Sequence, residues 1–410
     1  MLKSVADRSQ LISKIDWYKP TLCRFYALLT KSWPSLVRLN ILAFVRVILF
    51  TPFVLPSNYS KIVLISYFRR DLLKDFDCII KHLSKDYVKI VIKPYQGIKL
   101  RRIYISDVIF SFYESSKIIG RMTECSKHII LARGVIFFSI LEGIKIVRYL
   151  ADKNVKVDSV LSLMEMQASE NIIAQYFRIT GAKTFAYQHG YYHDAGITVS
   201  RKTHIPVNYL ASVCETALVW GETSKAILER YTTADVICVG KPFLLGSSSL
   251  SAHSDEVTLK TTLRHFVAIL DHSALRDENI HIMKSLSKFK HDDEIISFIA
   301  HPDDVYDYSQ FNSSRISHDV LSWDKHCIVA NNSSAILQYG RVGFSILLFR
   351  KSGFCNFISE ERLSSLSVVH KGDLSFYNMD KKSCKAIWSD FIHNYGNECL
   401  GIISKTIAQD

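Results

Sequence analysis

Hydrophobic and polar positions along this chain alternate between two periods. "SKIVLISYF" (60–68) is a short run of β-branched and apolar residues, the signature of a buried strand. In "RRDLLKDFDCIIKHLSK" (69–85), Leu72, Leu73, Phe76, Ile79, Ile80 and Leu83 return at helical spacing. "YVKIVIKPY" reads as a strand, "ISDVIFSFYESSKIIGRM" as mixed strand and helix, and "GVIFFSILEGIKIVRYLADK" (134–153) as a helix. Strand "VDSVLSLM" follows, then helix "ASENIIAQYFRITG" (168–181), which Gly181 ends. "KTFAYQH", "CETALVWG" and "DVICVGKP" close the series as three more strands.

"GSSSLSAHSDEVTLKTT" (246–262) breaks this rhythm: it is serine-rich, has no apolar period, and reads as a linker. A second series then begins, with strand "HFVAILD", helix "ENIHIMKSLSKF", strands "EIISFIAHP" and "HCIVANN", helix "SSAILQYGRVG" and strand "SILLF". "KKSCKAIWSDFIHNYG" reads as a C-terminal helix. Alternating short strands and helices predict an α/β fold with mostly parallel sheets covered on both faces. The expected architecture is two Rossmann-like domains facing a cleft, over residues 58–245 and 263–410, joined by the linker 246–262. Residues 1–57 form a basic, apolar N-terminal segment. Within it, "LVRLNILAFVRVILFTPFVLP" (36–56) is interrupted by Arg38 and Arg46 and closed by Pro52, too broken for a spanning helix. Two readings stay open for it: a core helix, or a segment lying on a membrane surface.

Composition narrows the classes. A chain of 410 residues, 48% hydrophobic and 22% charged, is globular and long enough for more than one core. The net charge of +12 fits an acidic partner, such as nucleic acid, anionic lipid or a nucleotide phosphate, without choosing among them. No concentrated basic run or nucleic-acid motif is present, so nucleic acid is not the expected partner. The nine cysteines are scattered and never spaced CxxC, which fits reduced thiols rather than a disulfide framework or zinc site. The N-terminus lacks the apolar core of a secretory signal. The expected location is the cytoplasm, peripherally at the inner face of the membrane if residues 36–56 meet lipid.

Three strand ends carry candidate chemistry. The first is Gln188-His189-Gly190, the second His301-Pro302-Asp303-Asp304, and the third Asn331-Asn332 followed by Ser333-Ser334 at a helix start. In parallel sheets, ligands bind beyond the carboxyl ends of strands, so all three suit one site. Ser333 and Ser334 offer hydroxyls and backbone N–H groups to an anion at the positive end of a helix, or they merely cap that helix. His301 is held extended by Pro302 and has a ring N–H for a phosphate, and a plain loop histidine is the alternative.

The His-Pro element followed about thirty residues later by the Ser-Ser element resembles the GT-B glycosyltransferases that build bacterial capsules and surface polysaccharides. These include sialyltransferases, polysialyltransferases, Kdo transferases and the teichoic-acid glycerophosphotransferases. The resemblance covers roughly residues 155–350. It implies that His301, Pro302, Ser333 and Ser334 hold the phosphate of a cytidine-nucleotide donor. The sialyltransferases carry an acidic pair and glycine where this chain has Gln188-His189-Gly190, whereas the glycerophosphotransferases carry a histidine-glycine pair. His189 is therefore the expected general base, since a neutral imidazole takes a proton near neutral pH. Glu165 is a reserve base, while Gln188, Gly190, Arg201 and Glu222 are candidates for the acceptor side. "HDDE" (291–294) and "HPDD" are not DxD motifs, so no metal and no cofactor is expected beyond the nucleotide-sugar substrate.

The resulting expectation is an inverting transfer, from a CMP-linked sialic acid or Kdo, to a membrane-linked glycan, beside capsule-assembly proteins. A glycerophosphate-type transferase and a non-catalytic assembly scaffold are the alternatives.

Overall fold

The computed structural model describes residues 5–21, 33–49, 61–66, 73–83, 87–92, 103–121, 129–154, 157–162, 168–188, 211–244, 265–271, 273–301 and 304–409. The chain folds as two compact units. The first comprises residues 1–219, 225–237 and 400–410, and the second residues 220–224 and 238–399. The serine-rich stretch 246–262 lies outside the described residues.

The first unit holds α1 (Val5–Lys14), α2 (Trp33–Leu49), β1 (Lys61–Ser66), α3 (Leu73–His82), β2 (Tyr87–Ile92), α4 (Ile105–Arg121) and α5 (Ile129–Lys153). It continues through β3 (Ser159–Ser162), α6 (Ala168–Ile179), β4 (Lys183–Tyr187), β5 (Thr216–Val219) and β6 (Asp235–Cys238). Helix α7 (Glu222–Leu228) links β5 to β6. The sheet order is β2-β1-β3-β4-β5-β6, and the pairs β1–β2, β1–β3, β3–β4 and β4–β5 are parallel.

Helix α5 is the hub of this unit, packing on α1, α2, α4 and α6. Its buried residues Ile136, Ile140, Ile144, Val147 and Leu150 repeat every three or four positions, placing one continuous stripe in the core. Leu11, Ile12, Ile15 and Trp17 join that core, as does Leu36 of α2. A polar tie fixes the turn after α1: Asp16 N donates to Gln175 Oε1 at 2.7 Å, and Gln175 Nε2 donates to Asn171 Oδ1 at 2.8 Å. Helix α6 ends where Gly181 adopts φ +97, a left-handed conformation that costs a glycine nothing.

The second unit contains β7 (His265–Ile269), α8 (Arg276–Lys288), β8 (Ile295–Ile299), β9 (Ser314–Arg315), β10 (His326–Ala330), α9 (Ala335–Val342) and β11 (Ser345–Phe349). Then come α10 (Glu360–Ser364), β12 (Ser367–Lys371), β13 (Leu374–Met379), α11 (Lys381–Trp388) and α12 (Asn397–Gln409), whose last turns return to the first unit. The sheet order is β12-β13-β11-β10-β7-β8-β9. Its five strands from β11 to β9 are parallel, while β13 and β12 add an antiparallel hairpin at one edge. Alternate strand residues face opposite layers. Ala268, Leu270, Phe298 and Val329 meet Ile282, Met283 and Leu286 of α8, whereas α9 and α11 cover the other face.

Three features differ from the sequence reading. "ISDVIFSFYESSKIIGRM" is one continuous helix, α4, with no strand in it. The "KKSCKAIWSDFIHNYG" helix stops at Trp388, and a separate helix, α12, follows. The edge hairpin β12–β13 is the third: β12 is mostly exposed and carries no clean apolar alternation, although β13 buries Leu374, Phe376 and Met379. Both units are open α/β sheets, as the alternation predicted.

Candidate functional site

In the second sheet, β7 leads to β8 and β9 on one side, and the chain then crosses back to place β10 and β11 on the other. The order therefore reverses between β7 and β10, and the crevice beyond their carboxyl ends is the ligand position of an open α/β sheet. The residues at that point are Asp271 after β7, and Asn331, Asn332, Ser333 and Ser334 after β10. His301 follows β8, the next strand over.

Asp271 is buried and tied on three sides. Its backbone N–H donates to Asn279 Oδ1 at 3.0 Å, and Asn279 Nδ2 returns a bond to its carbonyl at 3.0 Å, which locks β7 to α8. Its carboxylate oxygens each accept from Asn332 N at 3.2 Å. Burial pushes the Asp271 carboxyl up to about 7, against the opposing effect of the Asn332 N–H and the Asn331 side chain.

The two asparagines brace the crevice from the other side. Asn332 Oδ1 accepts from Gly353 N at 2.7 Å and from Ser352 Oγ at 3.3 Å. Ser352 Oγ also donates to the Asn331 carbonyl, so the loop after β11 is stitched to the end of β10. Asn331 Oδ1 is buried and accepts no hydrogen bond.

With the asparagines engaged in bracing, the serines remain for a ligand. Ser334 occupies the N-cap position of α9, yet its backbone is already helical (φ −62, ψ −15) and its side chain makes no cap bond. The capping alternative therefore does not describe Ser334. Both serines are half-buried at the positive end of α9, where Ile336 N donates to the Ser333 carbonyl at 3.1 Å and Leu337 N to the Ser334 carbonyl at 3.3 Å.

His301 is also half-buried, and its carbonyl accepts from Asp304 N at 2.9 Å. Asp304 anchors this turn. It accepts from Tyr308 Oη at 2.6 Å, Arg276 Nη2 at 2.9 Å and Tyr306 N at 3.2 Å. Burial works to raise its pKa, but these donors outweigh burial and hold Asp304 below the ordinary carboxylate range. The loop bearing His301 is thus pinned to the start of α8. Pro302 lies outside the described residues.

On the first sheet, Gln188 is buried at the carboxyl end of β4, where its N–H donates to Leu218 O at 2.9 Å. The preceding Tyr187 is buried edge-on against Phe76 of α3 at 6.2 Å between ring centres. The strand therefore ends where expected, but His189, Gly190, Arg201 and Glu165 lie outside the described residues. Glu222 is exposed in the first turn of α7. Sequence reading missed Asp271, Asn279 and Ser352. The acid closing "HFVAILD" was the available signal for Asp271, whereas Asn279 and Ser352 have no local pattern.

No family model matches the chain, and no curated protein does. Solved structures with a similar course include the UDP-GlcNAc 2-epimerase from Neisseria meningitidis bound to UDP-GlcNAc (TM-score 0.44, 10% identity, 85% of this chain and 100% of that one). OtsA gives a TM-score of 0.47 at 9% identity over 86% of this chain and 100% of the other. The wall teichoic acid polymerase TagF gives 0.42 at 10% identity, over 95% and 97% of the two chains. At TM-scores below 0.5 these likenesses do not bear on activity.

Proposed function

We propose that this chain is a nucleotide-sugar-dependent glycosyltransferase whose second unit holds the donor at the β7/β10 reversal. The observation that carries this reading is the pair Ser333 and Ser334. They stand at a strand-order reversal, at the start of a helix, with the Ser334 side chain not used as a cap. A donor phosphate at this place would accept from the two hydroxyls at the positive end of the α9 dipole, with His301 a third donor from the adjacent strand end.

The transfer follows from these roles. His189 Nε2 or Nδ1 takes the acceptor hydroxyl proton, the freed oxygen pair attacks the anomeric carbon, and the bond from that carbon to the phosphate oxygen breaks. The leaving nucleotide carries away that electron pair, and the dipole of α9 stabilises it. Attack from the face opposite the phosphate inverts the anomeric centre. The resemblance of the His-Pro and Ser-Ser elements favours a CMP-linked acidic sugar, sialic acid or Kdo, and a lipid-linked surface glycan as acceptor.

The test is nucleotide release from CMP-, CDP-, UDP- and GDP-activated donors, with membranes of a capsule-negative bacterium as acceptor. The expected result is acceptor-dependent release from one donor, abolished by His189→Ala while donor binding survives. Release from a CDP-linked phosphoalcohol alone would replace the sugar donor with the glycerophosphate type. Nucleotide binding without turnover, indifferent to His189→Ala, would make the chain a scaffold.

A further inference from the structure

Helix α4 is built inside out. Its inward residues Asp107, Ser111 and Ser115 are buried, with Ile118 the one buried apolar residue. Its outward residues are Ile105 (80% exposed), Ile109 (64%), Phe112 (59%) and Tyr113 (64%), with Val108 beside them. The spacing 105, 108, 109, 112 makes these one continuous stripe. On the polar inner face, Arg148 of α5 holds the Asp107 carboxylate through Nη2 at 2.5 Å and Nε at 3.1 Å and Ser115 Oγ donates to the Phe112 carbonyl at 2.9 Å, while Ser111 Oγ is buried without a hydrogen bond among the described residues. A helix that turns its charge inward and its isoleucines outward matches an apolar environment outside the protein.

The stripe does not stand alone. Helices α2 and α4 both pack on α5, and α2 exposes Trp33, Ile41 and Phe44 while burying Leu36, Ala43 and Val47. Ile130, at the start of α5, is 81% exposed. So many large apolar side chains on α5 and the two helices packed against it exceed the scattered exposure of an ordinary surface.

Charge identifies what covers this face. The exposed residues of α2 and α4 include Arg38, Arg121 and Lys117, the last 3.6 Å from the half-buried Glu114, and no exposed carboxylate. Arg133 of α5 lies over the Phe112 ring at 4.2 Å and bonds Ser116 Oγ, which sets a guanidinium at the stripe's edge. Arg101 and Arg102 precede the helix in sequence. A second copy would bring like cations together across a twofold axis. Anionic lipid headgroups over an acyl layer match both the stripe and its basic rim.

We propose that the outward face of α4, with the exposed residues of α2 and Ile130, docks this protein on the surface of an anionic bilayer. No helix among the described residues is long and apolar enough to span one, so the contact is interfacial. The proposal is independent of the transferase reading, because lipid binding is measured without turnover.

The experiment is flotation of the full chain with vesicles of phosphatidylcholine alone and with about one third phosphatidylglycerol, at low and high salt. The wild type should float with the anionic vesicles, less so at high salt. Ile109→Glu with Phe112→Glu should weaken this at least tenfold with an unchanged circular dichroism spectrum, and Ile105→Ser with Tyr113→Ser serves as a second, milder variant. Val320→Glu, at an exposed position of the second unit, should change nothing. Equal flotation of wild type and both stripe variants would overturn the proposal. So would failure of the wild type to float, including the case where it self-associates through the stripe instead.

Discussion

The backbone N–H of Asn332 lies 3.2 Å from each carboxylate oxygen of Asp271, joining the ends of the two strands between which the second sheet reverses its order. The same Asn332 reaches the opposite way with its side chain to the Gly353 N–H. One residue therefore spans the crevice from β7 to the loop after β11. Asn332→Ala removes the acceptor of the Gly353 N–H and of Ser352, and should cost about 1–3 kcal/mol. Urea unfolding measures it, and a loss near zero would mean that the loop stands without this brace.

Asp271 makes stability depend on pH. Burial, with Glu278 adding to it, pushes its carboxyl up to about 7 in the folded chain. An unfolded aspartate titrates near about 4, so between these values the native state binds the extra proton. This contribution is fully present below the unfolded value and is lost as pH rises through the folded one, by at most about 1.4 kcal/mol per pH unit. Asp271→Asn should therefore gain stability relative to wild type as the buffer goes from acid to mildly alkaline. A constant difference in urea midpoint across that range would contradict the assignment.

Lys371 of β12 reaches both oxygens of Glu294 at 2.9 Å, and both side chains are largely buried. Removing only the cation by Lys371→Met leaves a buried carboxylate and should cost about 3–5 kcal/mol. Adding Glu294→Met should restore most of that loss. A double variant no better than the single one would show that the ion pair is not the operative interaction.

Gly340 of α9 faces the indole of Trp388, and a methyl group there would overlap the ring edge. Trp388 is fully buried beside Phe354 and Phe391 and has no room to yield. Gly340→Ala should destabilise by about 1–3 kcal/mol even though alanine favours helix. An unchanged melting temperature would place the helix farther from Trp388.

The two sheets were legible because their strands are short apolar runs between helical patterns, and "EIISFIA" or "HCIVA" needs no tertiary information to be read. Helix α4 was misread for a physical reason. Its buried residues are Asp107, Ser111 and Ser115, so hydrophobic periodicity pointed to the outer face rather than to the core. Ser333 and Ser334 were legible as a pair, and the helical backbone and missing cap bond of Ser334 decide against capping at that residue. Asp271 escaped notice because its partner Asn332 lies 61 residues away.

Binding of a nucleotide phosphate at the β7/β10 reversal is read by calorimetric titration of CMP, CDP, UDP and GDP into wild type and the Ser333→Ala, Ser334→Ala double variant. Wild type should bind one of these nucleotides, and the double variant should bind it at least tenfold more weakly with an unchanged melting temperature. Equal affinity in the two proteins, or binding of none of the four to the wild type, would contradict it.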